Sequence, residues 1–435
     1  MAIVHLASED DTFHEDQITI FKDVYRLFQR IEWYRFSLLI LLPAFGSVAA
    51  CFVPLQGKTA IFSLVYYSLG MLSITAGYHR LWAHRSYEAS TGVKLVLAIL
   101  GTSSGQGTIQ AWSKNHRAHH RYSDSDKDPY GVNYGLLYAH IGWTVLKRDT
   151  RLVGRVDFDD LSKDPVVKWQ ARHYLPLFVS MGFVIPTMTM GLLSGDWLGG
   201  LIYAGILRVF LVQQATCCVN SLAHWAGGKP FSSKGSPRDN LAVALITMGE
   251  GFHNFHHHFP RDYRNGIQWY SYDPTKWLIS LLHWIGVVKN LKQFPKNEIE
   301  KSRLQERQLV LDGEKKMLDW GIPEENLPWM SLDEYKWESR LGRRLLLIDS
   351  IIYDVNSFIE HHPGGAGIIS SNIGTDASKV FNGAIYDHSI AARNLLASMR
   401  HARLTKTIRG CVPAPHTSVR VVATRKCSIR RGRSS

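Results

Sequence analysis

Four histidines fall within six positions of the stretch GEGFHNFHHHFP, Gly249 to Pro260: His253, His256, His257 and His258. A single zinc site closes with three or four protein ligands drawn from the whole chain, so one segment this rich points beyond one zinc. Three further clusters accompany it. His79 and His84 lie in HRLWAH, His116, His119 and His120 in HRAHH, and Asn220 with His224 in NSLAH. In both HxxHH clusters the outer pair is spaced i,i+4 and the first pair i,i+3, which on a helix puts all three imidazoles on one face. Nine clustered histidines suit two metals with four or five nitrogen ligands each. Imidazole accepts zinc, copper, nickel and iron, so ligand type alone does not choose the metal. His258 and His361 each stand beside a better-placed histidine and read as neighbours. His5, His14, His140, His173, His283, His401 and His416 read as ordinary polar residues of a membrane interface or surface.

Elements that bring these clusters together are visible in the hydropathy. Phe36 to Gly57 and Thr59 to Tyr78 carry no charge, Tyr174 to Gly195 is a third apolar run, and Trp197 to Ala223 a fourth, broken by Arg208. Each is long enough to cross a bilayer as a helix, and Arg208 must snorkel or face a polar interior. The pattern predicts two hairpins, turning at Gln56-Gly57-Lys58 and Ser194-Gly195-Asp196. Basic flanks (Lys22, Arg26, Arg30, Arg35, Arg80, Arg85) mark the other ends as cytoplasmic. Both termini and every histidine cluster then share the cytoplasmic side. The N-terminus is acidic and lacks a basic-then-apolar signal, leaving insertion to the first span. Val93 to Ile109 is too short to span and reads as interfacial or buried against the bundle.

The formal charge of +13 is mostly local, because residues 401–435 hold nine Lys/Arg and no Asp/Glu; nucleic acid is not implied as a partner. Five cysteines without metal or disulfide spacing fit a reducing compartment. From Lys289 the composition turns charged, with Pro295, Pro323 and Pro328, as in a connector. Leu345 to Val355 then reads as a strand pair, and short helices follow. The expected organisation is an N-terminal cytoplasmic segment (1–35), a membrane domain (36–288), a charged linker (289–330), a small α+β unit (331–405) and a disordered basic tail (406–435).

GYHRLWAHRSY, NHRAHHRYSDSDKDP, VNSLAHWAG and GEGFHNFHHHFPRDY resemble the segments of the membrane-bound acyl-CoA delta-9 desaturases, the stearoyl-CoA desaturase family, above all its fungal branch. The likeness covers about residues 20 to 300. It implies a mainly α, four-transmembrane-helix fold with a cytoplasmic helical cap, and oxygen-dependent desaturation of palmitoyl-CoA and stearoyl-CoA in the endoplasmic reticulum membrane. It further implies a di-iron centre on His79, His84, His116, His119, His120, His224, His253, His256 and His257, with Asn220 holding a metal-bound water. For substrate it implies Trp112, basic contacts to CoA from Lys114, Lys147 and Arg148, and a tunnel closed near Met71 and Tyr67. Met71 and Tyr67 continue, through Thr75, a stripe that descends from His79 every four residues.

HPGG at His362 to Gly365, preceded by IIYDVNSFIEH and followed by His388 in YDHS, is similar to cytochrome b5. The resemblance implies haem b with His362 and His388 as axial ligands, and NADH-cytochrome b5 reductase as its electron source. It ends near Leu404. Two other readings share parts of the pattern: a membrane di-iron fatty-acyl hydroxylase, and a membrane-anchored haem electron carrier that leaves the nine histidines without a role.

Overall fold

The computed structural model describes residue 25, residues 28–383 and residues 387–405. The chain divides into two compact units, Met1–Leu311 and Asp312–Ser435. His5, His14, Lys22 and Arg26, and the tail from residue 406 with Cys411, His416 and Cys427, lie outside the described residues.

In the first unit, α1 (Trp33–Ala50) and α2 (Gly57–Ala83) form one apolar pair, and α5 (Tyr174–Ser194) and α6 (Trp197–Trp225) the other; all four are long and apolar enough to cross a bilayer. Their outer faces keep Phe45, Ile61, Leu64, Leu192 and Leu193 exposed, as a lipid solvent allows. The two turns are tied together. Asp196 caps the start of α6 by accepting the Gly199 N–H, and the Thr59 hydroxyl at the start of α2 donates to it. Gly195, at φ 70°, ends α5 in the left-handed conformation a tight reversal needs.

Between the pairs lie α3 (Thr91–Thr102) and α4 (Ile109–Tyr122). With twelve residues α3 does not span; its last turn is buried in the bundle, with Thr102, Ser103 and Ser104 fully enclosed. Arg208 explains how. Its guanidinium donates to the carbonyls of Ser103 (3.1 Å), Gly182 (3.1 Å) and Ala204 (2.9 Å) and lies 4.5 Å from the Tyr66 ring. Gln213 donates to the carbonyls of Ser104 and Gly105. The charge that interrupts the fourth apolar run therefore satisfies the carbonyl end of α3, where a cation is favoured, and it faces the interior.

The last eleven residues of α2, Ser73–Ala83, are π-helical. The His84 N–H donates to the His79 carbonyl five residues back, at 3.0 Å. A five-residue spacing thereby lies on one face, as a four-residue spacing does on an α-helix. The span also runs past Tyr78, where its apolar run stops. Arg80 allows this, since it is paired to Glu250 and Asp273, each at 2.9 Å.

Beyond α6, α7 (His253–His258) and α8 (Pro274–Trp284) pack at the histidine end. The charged connector is helical over α9 (Lys296–Lys316), starting directly after Pro295. Its first half joins the first unit: Ile299 is buried with Phe231, Phe255 and Phe259, and Ser302 Oγ lies 2.7 Å from His258 Nε2.

The second unit is built on a four-stranded sheet of order β1-β4-β3-β2, comprising β1 (Trp329–Met330), β2 (Leu345–Ile348), β3 (Ile351–Asp354) and β4 (Arg400–Leu404). As the strand-pair reading expects, β2 and β3 are a hairpin, with Ile348 opposite Ile351. Asp349 and Ser350 turn it at φ 50° and 69°, the conformation of tight hairpins.

Candidate metal centre

Four elements each contribute to one buried cluster of imidazoles: α2 with the following His84, α4, the end of α6, and α7. The rings sort into two groups, His79, His84, His116, His120 and His256 in one, and His119, His224, His253 and His257 in the other. Neither HxxHH segment serves one group alone. His116 and His120 face the first group while His119 faces the second, and α7 does the reverse, with His256 in the first and His253 and His257 in the second. The single face expected from helical spacing is thus divided between two centres.

Every ring turns its Nε2 inward. In the five-histidine group His256 Nε2 lies 3.0 Å from both His79 Nε2 and His120 Nε2, and His116 Nε2 lies 2.9 Å from His84 Nε2 and 3.1 Å from His120 Nε2. In the four-histidine group His253 Nε2 is 3.0 Å from the Nε2 atoms of His224 and His257, and His119 Nε2 is 3.3 Å from that of His257. Outward nitrogens decide the tautomer. His119 Nδ1 lies 2.9 Å from Asp128 Oδ1, His79 Nδ1 lies 2.7 Å from Glu250 Oε2, and His224 Nδ1 lies 2.6 Å from Ser236 Oγ. A carboxylate only accepts, so the proton of His119 sits on Nδ1 and its Nε2 lone pair points inward; the His79 contact with Glu250 is of ion-pair distance but outside hydrogen-bond geometry. Burial, reinforced by neighbouring imidazoles, holds His84, His116, His120, His253, His256 and His257 well below the ordinary histidine range, hence neutral. Converging lone pairs repel unless a cation lies between them. Nitrogens about 2.1 Å from one ion and at right angles are about 3 Å apart, which is the separation found. The donor set fits two metal ions.

Glu250 belongs to the same GEGFHN segment. Burial works against its charge, but His79 and Arg80 outweigh it and hold the carboxyl at about 2. Asn265 Nδ2 donates to the same Oε2 at 2.7 Å, while Oε1 accepts from Arg80. Gly249 before it stands at φ 114°, where a Cβ would meet Asp273 Oδ1 at 2.4 Å, so only glycine lets the segment pass.

A cavity of about 600 Å³ opens beside the five-histidine group. Arg35, Lys147 and Arg148 line it together with Trp112; His79, His116 and Asn220 line it as well, and so do Thr75 and Met71. Beside these cations, the segment before α1 pairs with the chain around Lys147: Lys147 N–H donates to Arg30, and Glu32 N–H to Val145. The Arg148 Nη1 is buried without a partner. Two expected substrate residues lie elsewhere. The Lys114 ammonium sits over the Phe158 ring at 4.5 Å and does not line the cavity. Tyr67 packs behind Met71 and donates to the Ile246 carbonyl at 2.6 Å, so the lining stops at Met71.

The fatty acid desaturase family matches residues 58–281, and the cytochrome b5-like haem/steroid binding domain matches residues 331–405. The chain belongs to the fatty acid desaturases. Among its relatives, an acyl-CoA desaturase of Schizosaccharomyces pombe is 46% identical over 86% of this chain and 78% of its own. Acyl-CoA desaturase 1 of Saccharomyces cerevisiae is 44% identical over 86% and 74%. Stearoyl-CoA desaturase 5 of Homo sapiens is 38% identical over 62% and 84%. This desaturase is an oxidoreductase and an integral membrane protein with a fused cytochrome b5-like domain.

In that domain His362 Nδ1 lies 3.2 Å from the Gly365 carbonyl and His388 Nδ1 lies 2.9 Å from the Phe381 carbonyl, with the His388 ring stacked on Phe381 at 4.3 Å. The helices that follow these histidines, Ala366–Ser370 and Ile390–Ser398, leave Ile368, Ile390 and Leu395 exposed. Nδ1 protons tied to the backbone and uncovered apolar side chains fit a flat apolar macrocycle held through Nε2. His361 is exposed.

Sequence reasoning missed Glu250, Asp128, Ser236 and Asp124 behind the imidazoles, and Arg35 in the cavity lining. Acidic and hydroxyl residues are common, and only their distance from Nδ1 sets these apart.

Proposed function

We propose that this desaturase performs oxygen-dependent delta-9 desaturation of palmitoyl-CoA and stearoyl-CoA, with a di-iron centre on the nine histidines and electrons arriving through its own haem domain. The observation that carries the reading is a cavity lined by cations, by two of the imidazoles and by apolar side chains of α2. When bound, the irons supply the dioxygen activation that removing hydrogen from two unactivated methylenes requires, and haem b between His362 and His388 supplies one-electron transfer. The chain's own residues do the rest. The nine imidazoles present lone pairs in two sets, and Asn220, which lines the cavity with His79 and His116, would orient a water. Trp112, stacked on His116 at 5.0 Å and anchored by Gln106 at 2.9 Å, fixes the cavity wall where the chain passes the centre. NADH-cytochrome b5 reductase would reduce the haem, since two axial histidines leave no position for oxygen. Arg30, Arg35 and Arg85 at the histidine end favour a cytoplasmic active site in the endoplasmic reticulum membrane. Expression in yeast lacking its own desaturase should restore 16:1 and 18:1 fatty acids with the double bond at carbon nine. A hydroxylated product would overturn the reading.

Lys147 and Arg148 would pair with CoA phosphates, and the unpartnered Arg148 Nη1 is what such an anion would satisfy. Changing both to alanine should raise the KM for acyl-CoA roughly 2- to 30-fold, from about 0.2–1 kcal/mol for each of the two charge pairs, with kcat little altered. An unchanged KM would return both residues to lipid headgroups.

Met71, 1% exposed, ends the lining and sets chain length in this reading. The expected preference is for palmitoyl, and Met71→Ala should raise the ratio of 18:1 to 16:1. Methylenes fitting an apolar pocket are worth roughly 1–3 kcal/mol each, so the shift should be on the order of tenfold. Fatty-acid profiles showing an unchanged ratio would remove Met71 from the tunnel.

A further inference from the structure

One short loop stands behind half of the four-histidine group. The loop after α4, Ser123 to Asp128, carries two carboxylates that reach different helices. Asp128, fully buried, holds His119 of α4 through Nδ1 at 2.9 Å; the same oxygen accepts the Tyr130 N–H. Asp124 reaches His224 of α6 through an intermediary. Its two oxygens accept the Ser236 hydroxyl and the Ser236 N–H, and Ser236 Oγ lies 2.6 Å from His224 Nδ1. A hydroxyl has one proton, and Asp124 only accepts. Ser236 therefore donates to Asp124 and accepts from His224, which fixes His224 with its Nε2 lone pair turned toward His253. Asp124 holds a left-handed φ of 62°, which aspartate tolerates, and its carbonyl is tied to Asn133 at 2.6 Å. Neither His253 nor His257 hydrogen-bonds a carboxylate or hydroxyl among the described residues. The five-histidine group takes nothing from this loop, its carboxylate being Glu250 on His79.

We propose that the loop Ser123 to Asp128 is a clamp that sets the metal affinity of the four-histidine group independently of the five-histidine group, with Asp124 and Asp128 as positioning residues. The proposal rests on the di-iron reading. Partners behind metal-bound histidines are worth roughly 10- to 100-fold in metal affinity, so loosening the clamp should release one ion and spare the other.

The test is non-haem iron per chain in the full-length protein, purified in detergent and exposed to a graded chelator. Total iron is measured by mass spectrometry, and haem iron, from the pyridine haemochrome, is subtracted. Wild type should hold about two non-haem irons, and Ser236→Ala and Asp124→Asn about one each under chelator that spares the wild type. Ser236→Thr keeps the hydroxyl and should hold about two. Glu250→Gln should lose the other ion, and its combination with Ser236→Ala both. Ser236→Ala with unchanged iron overturns the clamp, as does joint loss of both ions with the melting temperature intact, or Ser236→Thr depleted like alanine. Wild type without non-haem iron overturns the di-iron reading and the clamp with it. Should Asp124→Asn fail to fold, the serine pair alone decides.

Discussion

Alanine at His256 is expected to bring desaturation to background, a fall on the order of 10³-fold for residues that act as a unit, while alanine at His258 leaves most activity. The two lie on the same short helix, and their surroundings are opposite. His256 is 1% exposed and its Nε2 is 3.0 Å from both His79 and His120, so it joins the rings of α2 to those of α4. Its loss removes a donor from the five-histidine group and the bridge between two helices. His120→Ala should be equally inactive for the same reason. His258 turns away to Ser302 of α9, and losing that bond costs about 1 kcal/mol, a small part of a stability of roughly 5–15 kcal/mol. Unsaturated fatty acids in desaturase-deficient yeast, at matched protein level, give the comparison. A His258 variant as inactive as the His256 variant would sink the assignment within HNFHHH.

The second large effect belongs to the other unit. His362→Ala should remove the haem absorbance entirely and with it the self-supplied electrons, leaving non-haem iron at the wild-type value. One axial imidazole cannot be replaced from next door, because His361 is exposed and the His362 ring sits on Phe358, 5.9 Å between centroids. Added cytochrome b5 should restore activity partially at best, since a donor arriving by diffusion replaces one tethered to the chain. Paired haemochrome and iron measurements test this. A variant that keeps its haem would displace His362 as a ligand, and one that loses non-haem iron as well would contradict two separately loaded centres.

Much of this was legible before any coordinates. Hydropathy and histidine spacing are local properties, and both the four spans and the members of the cluster follow from them. The haem unit was legible for a similar reason, since HPGG and a β-branched strand pair are short-range signals. What escaped was set by tertiary geometry. Spacing of i, i+3 and i+4 predicts a shared face, but His119 is rotated far enough from His116 and His120 to meet His224 of α6, 5.0 Å between ring centroids, and only that contact shows which group it joins. Lys114 illustrates the same limit. Two positions from Trp112, it points to Phe158 and away from the cavity. Arg208 was ambiguous because its partners are backbone carbonyls of α3, which no side-chain pattern reveals.

The π-helical end of α2 has a consequence for how this chain lines up with others. Four residues of spacing would already place two histidines on one face of an α-helix; five do so here because the turns of Ser73–Ala83 are wider. Helix type and motif length then go together. A relative with three residues between the equivalent histidines should show an uninterrupted α-helix there, and its alignment gap belongs inside Arg80–Ala83. Deleting one residue from Leu81–Ala83 in this protein is expected to leave the pair facing one way while shifting everything after it by a residue, including the Ser86 and Tyr87 contacts that fasten the segment to Arg80 and Ala76.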